Sequence, residues 1–219
     1  METIKKGDFV EVEYTGILKE NNFVFDTTDV KTAKENNIYN ESMQYGTVIV
    51  CIGEGPLLRG LDEQLDGKEL NKEFTIELSP EKAFGKKDGK LLKIVPASAF
   101  TKQKINPVPG LQINIDGQLG TIKTATGGRT IVDFNHPFSG RDVIYKIKAN
   151  RIVTDDLEKM MAFLSLEFGM KDAECEIKEG IAEVKMAEDI NLPEEIGKMV
   201  NERVNRLIPS IKSVKFIKK

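Results

Sequence analysis

The chain has 219 residues, 40% of them hydrophobic and 31% charged, with a formal net charge of -3, the balance of a globular protein with room for one large or two to three small domains. It has no run of about 18 apolar residues, and the opening METIKKGDFVEVEYTG lacks the apolar core of a signal peptide, so a cytoplasmic location and no membrane partner are expected. Cys51, Cys175 and the lone His136 are too few for a disulfide framework, a zinc site or a histidine triad. No metal and no cofactor is therefore expected, and the lack of a basic cluster argues against nucleic acid.

Residues 1–85 read mainly as strands. GDFVEVEYTG sets Val10, Val12 and Tyr14 on one face and Glu11 and Glu13 on the other, the period of a half-buried strand. FVFD and TVIVCI are short apolar strands, KEFTIEL alternates Phe74, Ile76 and Leu78, and TTDVKTAKEN predicts one short helix on a long connection. GEGPLLRGLDEQLDG is the one strong helix signal in this zone. Pro56 suits its first turn, Leu57, Leu58, Leu61 and Leu65 form one apolar stripe, and Gly67 can close it in the left-handed conformation. A curved sheet wrapped on so short a helix leaves one end half open, where the first helical turn presents Leu57 and Leu58. Two readings stand for this pair: ordinary core, or the lip of a cleft.

Residues 86–133 read as a small β module. Turn signals at Asp116-Gly117 and Thr126-Gly127-Gly128 separate LQINI, LGTIKTA and RTIVDF, a meander of three antiparallel strands. A module of this size buries its apolar groups poorly, so some of Leu91, Leu92, Ile94, Val95, Phe100, Ile113, Ile115, Ile122 and Ile131 are expected at the surface. The alternative is a passive insertion with those residues as its own core. His136 before Pro137 reads as a turn residue sooner than as a catalytic group.

VIYKIKANRI resumes the strand pattern, and a different composition follows. DDLEKMMAFLSLEFG predicts a helix capped by Thr154 and ended by Gly169, with Leu157, Met160, Met161, Leu164 and Phe168 at helical spacing. AECEIKEGIAEVKMA is a hairpin turning near Glu179-Gly180. LPEEIGKMVNERVNRLIP is a second amphipathic helix, with Ile196, Met199, Val200, Val204 and Leu207 on one side, and SVKFI is a closing strand. The order αββαβ makes a two-layer domain of about 65 residues, a size at which a self-sufficient core is hard to build. A homodimer through 154–219 is one remedy. The Met160 and Met161 pair reads either as core or as such an interface.

The series VEYTGIL, VFDTT, IGEGPLLRGLDEQLDG and LSPEKAFG, in that order and followed at a distance by VIYKIKANRI, resembles the FKBP-type peptidyl-prolyl isomerases. The resemblance implies an α+β fold: an FKBP-like curved antiparallel sheet on a short helix (1–85 and 134–153), an inserted small β domain (86–133) and a C-terminal αββαβ domain (154–219), as in long archaeal-type members. It implies a pocket lined by Tyr14, Phe25, Asp26, Val48, Leu57, Leu58, Leu61, Phe84 and Tyr145. Phe25, Leu57, Leu58, Leu61 and Tyr145 would pack on the proline ring, and the Leu58 amide would place the substrate backbone. Asp26 would orient Tyr14 or meet the rotating carbonyl, or would only cap a turn.

Two positions depart from the family pattern. Leu61 stands where many members have tryptophan, and Phe84 where many have tyrosine, which removes a hydroxyl that would bond a ligand carbonyl. The insert, with VPASAF early and DFNHPFSG at its close, looks like the insert-in-flap domain of SlyD-like members, which in those relatives binds unfolded chains. Leu92, Ile94, Val95, Phe100, Ile113, Ile122, Ile131 and Phe138 are then the candidate client contacts. The implied partners are unfolded polypeptides with Xaa-Pro bonds. A non-catalytic holdase is the competing reading.

Overall fold

A computed structural model describes residues 2–55, 57–102, 104–170, 173–186 and 193–218. The predicted helix residue Pro56 lies outside them, as do the ends of the predicted hairpin and second C-terminal helix at Ala187 and Leu192. The chain divides into two compact units, residues 1–77 with 144–219, and residues 78–143.

The first unit is built on β1 (Phe9–Leu18), β2 (Phe23–Thr27), β3 (Val48–Cys51), β4 (Glu73–Leu78) and β9 (Val143–Ile152), in the order β2-β1-β9-β4 with β3 also on β1. Strand β1 runs antiparallel to β2 and to β3, with Gly16 opposite Asp26 and Val12 opposite Val48. Its register shifts between Gly16 and Ile17, a bulge that raises local twist. The connection after β2 holds α1 (Val30–Glu35), capped by Asp29, whose carboxylate accepts the Thr32 amide.

The leucine-rich helix is shorter than its stripe. α2 runs Arg59–Leu65, with Leu58 at its N-cap and Leu57 outside it. The Leu58 carbonyl accepts the amides of Leu61 and Asp62, but its own extended backbone keeps it out of the first turn. Leu57 and Leu58 therefore precede the helix rather than belong to its first turn. Gly67 is left-handed, φ 79°, and gives its amide to the Ile4 carbonyl. A helix of two turns has no stability alone; burial of Leu61 and Leu65, 1% and 0% exposed, supplies it.

The C-terminal elements are α4 (Asp156–Phe168), β10 (Glu174–Lys178), β11 (Ile181–Met186), α5 (Glu194–Leu207) and β12 (Ser213–Lys218). β11 is central, antiparallel to β10 and parallel to β12. The β10–β11 turn falls on Glu179 and Gly180, both at positive φ. Two local expectations need correction. The cap of α4 is Asp155, not Thr154, because its carboxylate accepts the Glu158 amide, three residues on. Met199 is 55% exposed, because α5 buries the narrower stripe Val200 and Val204.

These elements do not form a core of their own. Met160, Phe163 and Leu164 of α4, Val200 and Val204 of α5, and Ala182 and Val184 of β11 share one apolar cluster with Phe9 of β1, Cys51 of β3 and Val153. Elements too few to bury enough surface alone complete their core against the sheet, within the one compact unit.

The second unit contains β5 (Leu92–Pro96), α3 (Ala97–Lys102), β6 (Gln112–Ile115), β7 (Gln118–Thr126) and β8 (Arg129–Asp133), with the antiparallel order β5-β8-β7-β6. The three-strand expectation missed β5 and α3. LKIVP is a five-residue run behind the Asp88-Gly89 turn, and its strand identity comes from pairing with β8, Ile94 opposite Ile131. Among the described residues no helix is long and apolar enough to cross a membrane.

Candidate functional site

Four of the expected pocket residues come together on the first unit's sheet. The Tyr14 and Tyr145 rings lie 5.8 Å apart and tilted, and Phe25 meets Tyr145 edge-on at 5.9 Å. Tyr145 is 4% exposed, whereas Tyr14, Phe25 and Asp26 are half-buried. Such edge-to-face geometry is the preferred aromatic arrangement.

The backbone fixes this cluster before any side chain does. The Tyr14 amide donates to the Thr28 hydroxyl at 2.9 Å, and the Thr28 amide donates to the Tyr14 carbonyl at 3.0 Å. The Thr27 hydroxyl bonds that of Thr15 at 2.8 Å, and Gly16 sits opposite Asp26. Asp26 lies within β2, and the cap of the following helix is Asp29. It shares a side-chain hydrogen bond with the Tyr14 hydroxyl, and its carboxyl also accepts from the Thr27 amide.

Burial governs the charges here. It pushes the Asp26 carboxyl above its usual range despite the bonds from Tyr14 and Thr27, which pull the other way. The Tyr14 and Tyr145 hydroxyls are pushed well up, first by burial and then by the neighbouring Asp26 carboxylate. Both phenols stay protonated. Their hydroxyls are donors in a poorly solvated site.

Gly16 is the residue that sequence reasoning overlooked. A Cβ there would stand 2.7 Å from Phe25 Cζ, 2.9 Å from Phe25 Cε2 and 3.1 Å from Tyr145 Cε1. The two rings occupy the space a side chain would take. The signal was present, since a glycine inside a strand marks a bulge or a close approach.

The remaining pocket candidates are distributed as follows. Leu61 is buried, Leu57 and Leu58 are half-buried just ahead of α2, and Val48 is half-buried at the start of β3. Phe84 belongs to the second unit, where it stacks on His136 at 4.5 Å and 2° and lies 5.4 Å from Phe138. His136 is a turn residue: its Nδ1 accepts the Phe138 amide at 3.2 Å, and burial lowers its pKa, favouring the neutral ring.

The insert residues split in two. Phe100, Ile113 and Ile122 are 3%, 6% and 0% exposed and form the module's own core with Val132, so they are not available as client contacts. Each points to the one face that can bury it. Leu92 and Ile94 are 47% and 64% exposed on β5, while Val95 and Ile131 are half-buried.

A family model described as FKBP-type peptidyl-prolyl cis-trans isomerase matches residues 1–101, and one described as FKBP26, IF domain matches residues 93–138. The chain is 34% identical over 149 residues to a short-type peptidyl-prolyl cis-trans isomerase of Methanocaldococcus jannaschii, covering 68% of this chain and 94% of the relative. It is 30% identical over 111 residues to SlyD of Vibrio cholerae, covering 48% of this chain and 54% of that protein, and 26% identical over 162 residues to SlyD of Aeromonas hydrophila, covering 69% and 65%. With a third of the aligned residues identical across nearly the whole of the short-type relative, and the family model matched over residues 1–101, the chain belongs to the FKBP-type peptidyl-prolyl cis-trans isomerase family.

Proposed function

We propose that this isomerase acts on Xaa-Pro bonds of unfolded polypeptide clients in the cytoplasm and holds such segments as an ATP-independent chaperone. The observation that carries the reading is the Tyr14, Phe25, Asp26 and Tyr145 cluster closed over Gly16. Rotation about an Xaa-Pro bond breaks no covalent bond, and its barrier of about 18–20 kcal/mol comes from lost amide resonance. Catalysis needs only a site that binds the twisted amide better than the planar one.

In this reading the half-buried Phe25, Leu57 and Leu58 receive the proline ring, the buried Tyr145 and Leu61 support the site without offering it surface, and the Leu58 amide takes the substrate backbone. Asp26 fixes the Tyr14 hydroxyl as a donor. An apolar surround favours the twisted amide, which has less charge separation than the resonant planar form. Leu92 and Ile94, on the exposed edge strand of the second unit, offer the client a strand edge and apolar side chains. A homodimer through 154–219 is a further part of the proposal, supported by Leu157, Leu166 and Met199, each at least 40% exposed, and tested by sedimentation.

The test is cis-to-trans exchange of a short Xaa-Pro peptide by NMR, with protein far below peptide concentration. Acceleration that Phe25→Ala abolishes supports the enzyme. Exchange at the uncatalysed rate, with suppression of client aggregation intact, leaves the non-catalytic holdase, the reading that exposed Leu92 and Ile94 favour.

A further inference from the structure

The segment that leads into α2 is tied from two sides. On one side Asp62 of α2 accepts the Gly53 amide at 2.8 Å and also the Gly55 amide. On the other, Arg206 near the end of α5 forks onto Glu54, Nη1 to Oε1 at 2.5 Å and Nη2 to Oε2 at 2.6 Å. Arg203, one turn earlier, reaches the Glu54 carbonyl at 3.4 Å, binds Glu167 of α4 at 2.7 Å, and sits 5.7 Å from the centre of the Phe163 ring.

This is not an ordinary surface pair. The Glu54 side chain is 14% exposed and Arg206 reaches it from a 59% exposed position, whereas both partners of Lys31–Glu35 and of Lys198–Glu194 are more than 60% exposed. Paired N–H donors on paired carboxylate oxygens fix orientation as well as distance. Gly53 and Gly55 flank Glu54 at φ 86° and 87°, conformations that glycine permits but does not hold, and the bonds from Asp62 and Arg206 fix the backbone and side chain there. Leu57 follows Glu54 by three residues.

We propose that Arg206 and Arg203 are positioning residues for the proline pocket: through Glu54 the C-terminal domain sets where Leu57 and Leu58 stand. The inference rests on the pocket role given to those two leucines. It assigns the C-terminal domain a part in substrate binding that needs no contact with substrate.

The experiment compares the full-length protein with Arg206→Met, Arg206→Lys and Glu54→Gln, measuring kcat and KM on an uncharged Xaa-Pro peptide beside thermal midpoints. Loss of the fork raises KM about three- to tenfold and leaves kcat within about twofold, the pattern of lost uniform binding. The double variant is no worse than either single one, because both remove one interaction. Arg206→Lys recovers part of the loss, since an ammonium keeps a charge but not the fork. Salt near 1 M moves the wild-type KM towards the variant value and leaves that of Arg206→Met unchanged. Lower midpoints with an unchanged KM make the clamp merely structural and overturn the inference. Should Arg206→Met fail to fold, a wild-type KM that is flat in salt overturns it equally. A wild type without catalysis is a different result: it removes the isomerase reading first, and this inference with it.

Discussion

Alanine at Gly16 tests the site with a single methyl group. Its Cβ would lie 2.7 Å from Phe25 Cζ and 3.1 Å from Tyr145 Cε1, against a normal carbon–carbon contact of about 3.5–4.0 Å, so one or both rings must retreat by about 1 Å. The backbone of Gly16 is not left-handed, so sterics act alone. Overpacking of this kind costs about 1–3 kcal/mol. A glycine-to-alanine change also restricts the unfolded chain and returns about 0.4–1 kcal/mol. The net loss of stability is then between about zero and about 2.5 kcal/mol, too variable to be diagnostic. Activity is the sharper readout, because a displacement of about 1 Å at a binding surface can cost about 100-fold. NMR exchange on an Xaa-Pro peptide should fall by about 10- to 100-fold, with denaturant midpoints read in parallel. Adding Phe25→Leu removes the clashing ring atoms, so the double variant regains stability but not activity. A folded Gly16→Ala protein with activity within twofold of wild type would refute the argument that these rings form the working surface.

Asp26→Asn keeps an oxygen for the Tyr14 hydroxyl but removes a poorly solvated charge. Burial raises the folded-state value above 3.8, so the contribution of Asp26 to stability is fully present below that pH and is lost as pH rises through the raised value. The variant should therefore be at least as stable as wild type at pH 7 and equal to it in acid, while catalysis drops about fivefold as a charged hydrogen bond becomes a neutral one; a deficit at pH 7 that persists in acid would show that the charge is not the issue. Glu54 has the opposite sign. Its hydrogen bond from Arg206 holds the carboxyl below its usual 4.5, so its contribution is present above that value and disappears as pH falls through the lower folded value. Glu54→Gln should lower the thermal midpoint at pH 7, and the difference from wild type should shrink as pH falls through the lowered folded-state value. Thr130 is 1% exposed and its hydroxyl finds no partner among the described residues, so Thr130→Val should raise stability by about 1 kcal/mol in urea unfolding. Phe100→Ala should destabilise the insert by about 3–5 kcal/mol, seen as lost amide protection in residues 92–133. Ile94→Ser, at an exposed site, should leave stability unchanged and weaken suppression of client aggregation; the reverse pattern would assign the two residues the wrong way round.

Secondary structure was legible in the residues wherever a local rule suffices. The alternation of Val10, Val12 and Tyr14 specified β1, the stripe of Leu61 and Leu65 specified α2, and Glu179-Gly180 specified the β10–β11 turn, because side-chain period and turn chemistry act over a few residues. The ordered motifs around Tyr14, Phe25 and Asp26 also made the family legible. Tertiary structure alone decided what depends on distant partners. Strand β5 exists because β8 pairs with it, and Phe100, Ile113 and Ile122 are core because one face of a small sheet had to be covered. Gly16 matters because two rings, one contributed 129 positions later, need its missing side chain. Glu54 meets Arg206 across 152 positions, and Phe9 and Cys51 complete the core of helices far along the chain. Such contacts leave no periodic trace in sequence, since burial and charge pairing are decided by proximity in space.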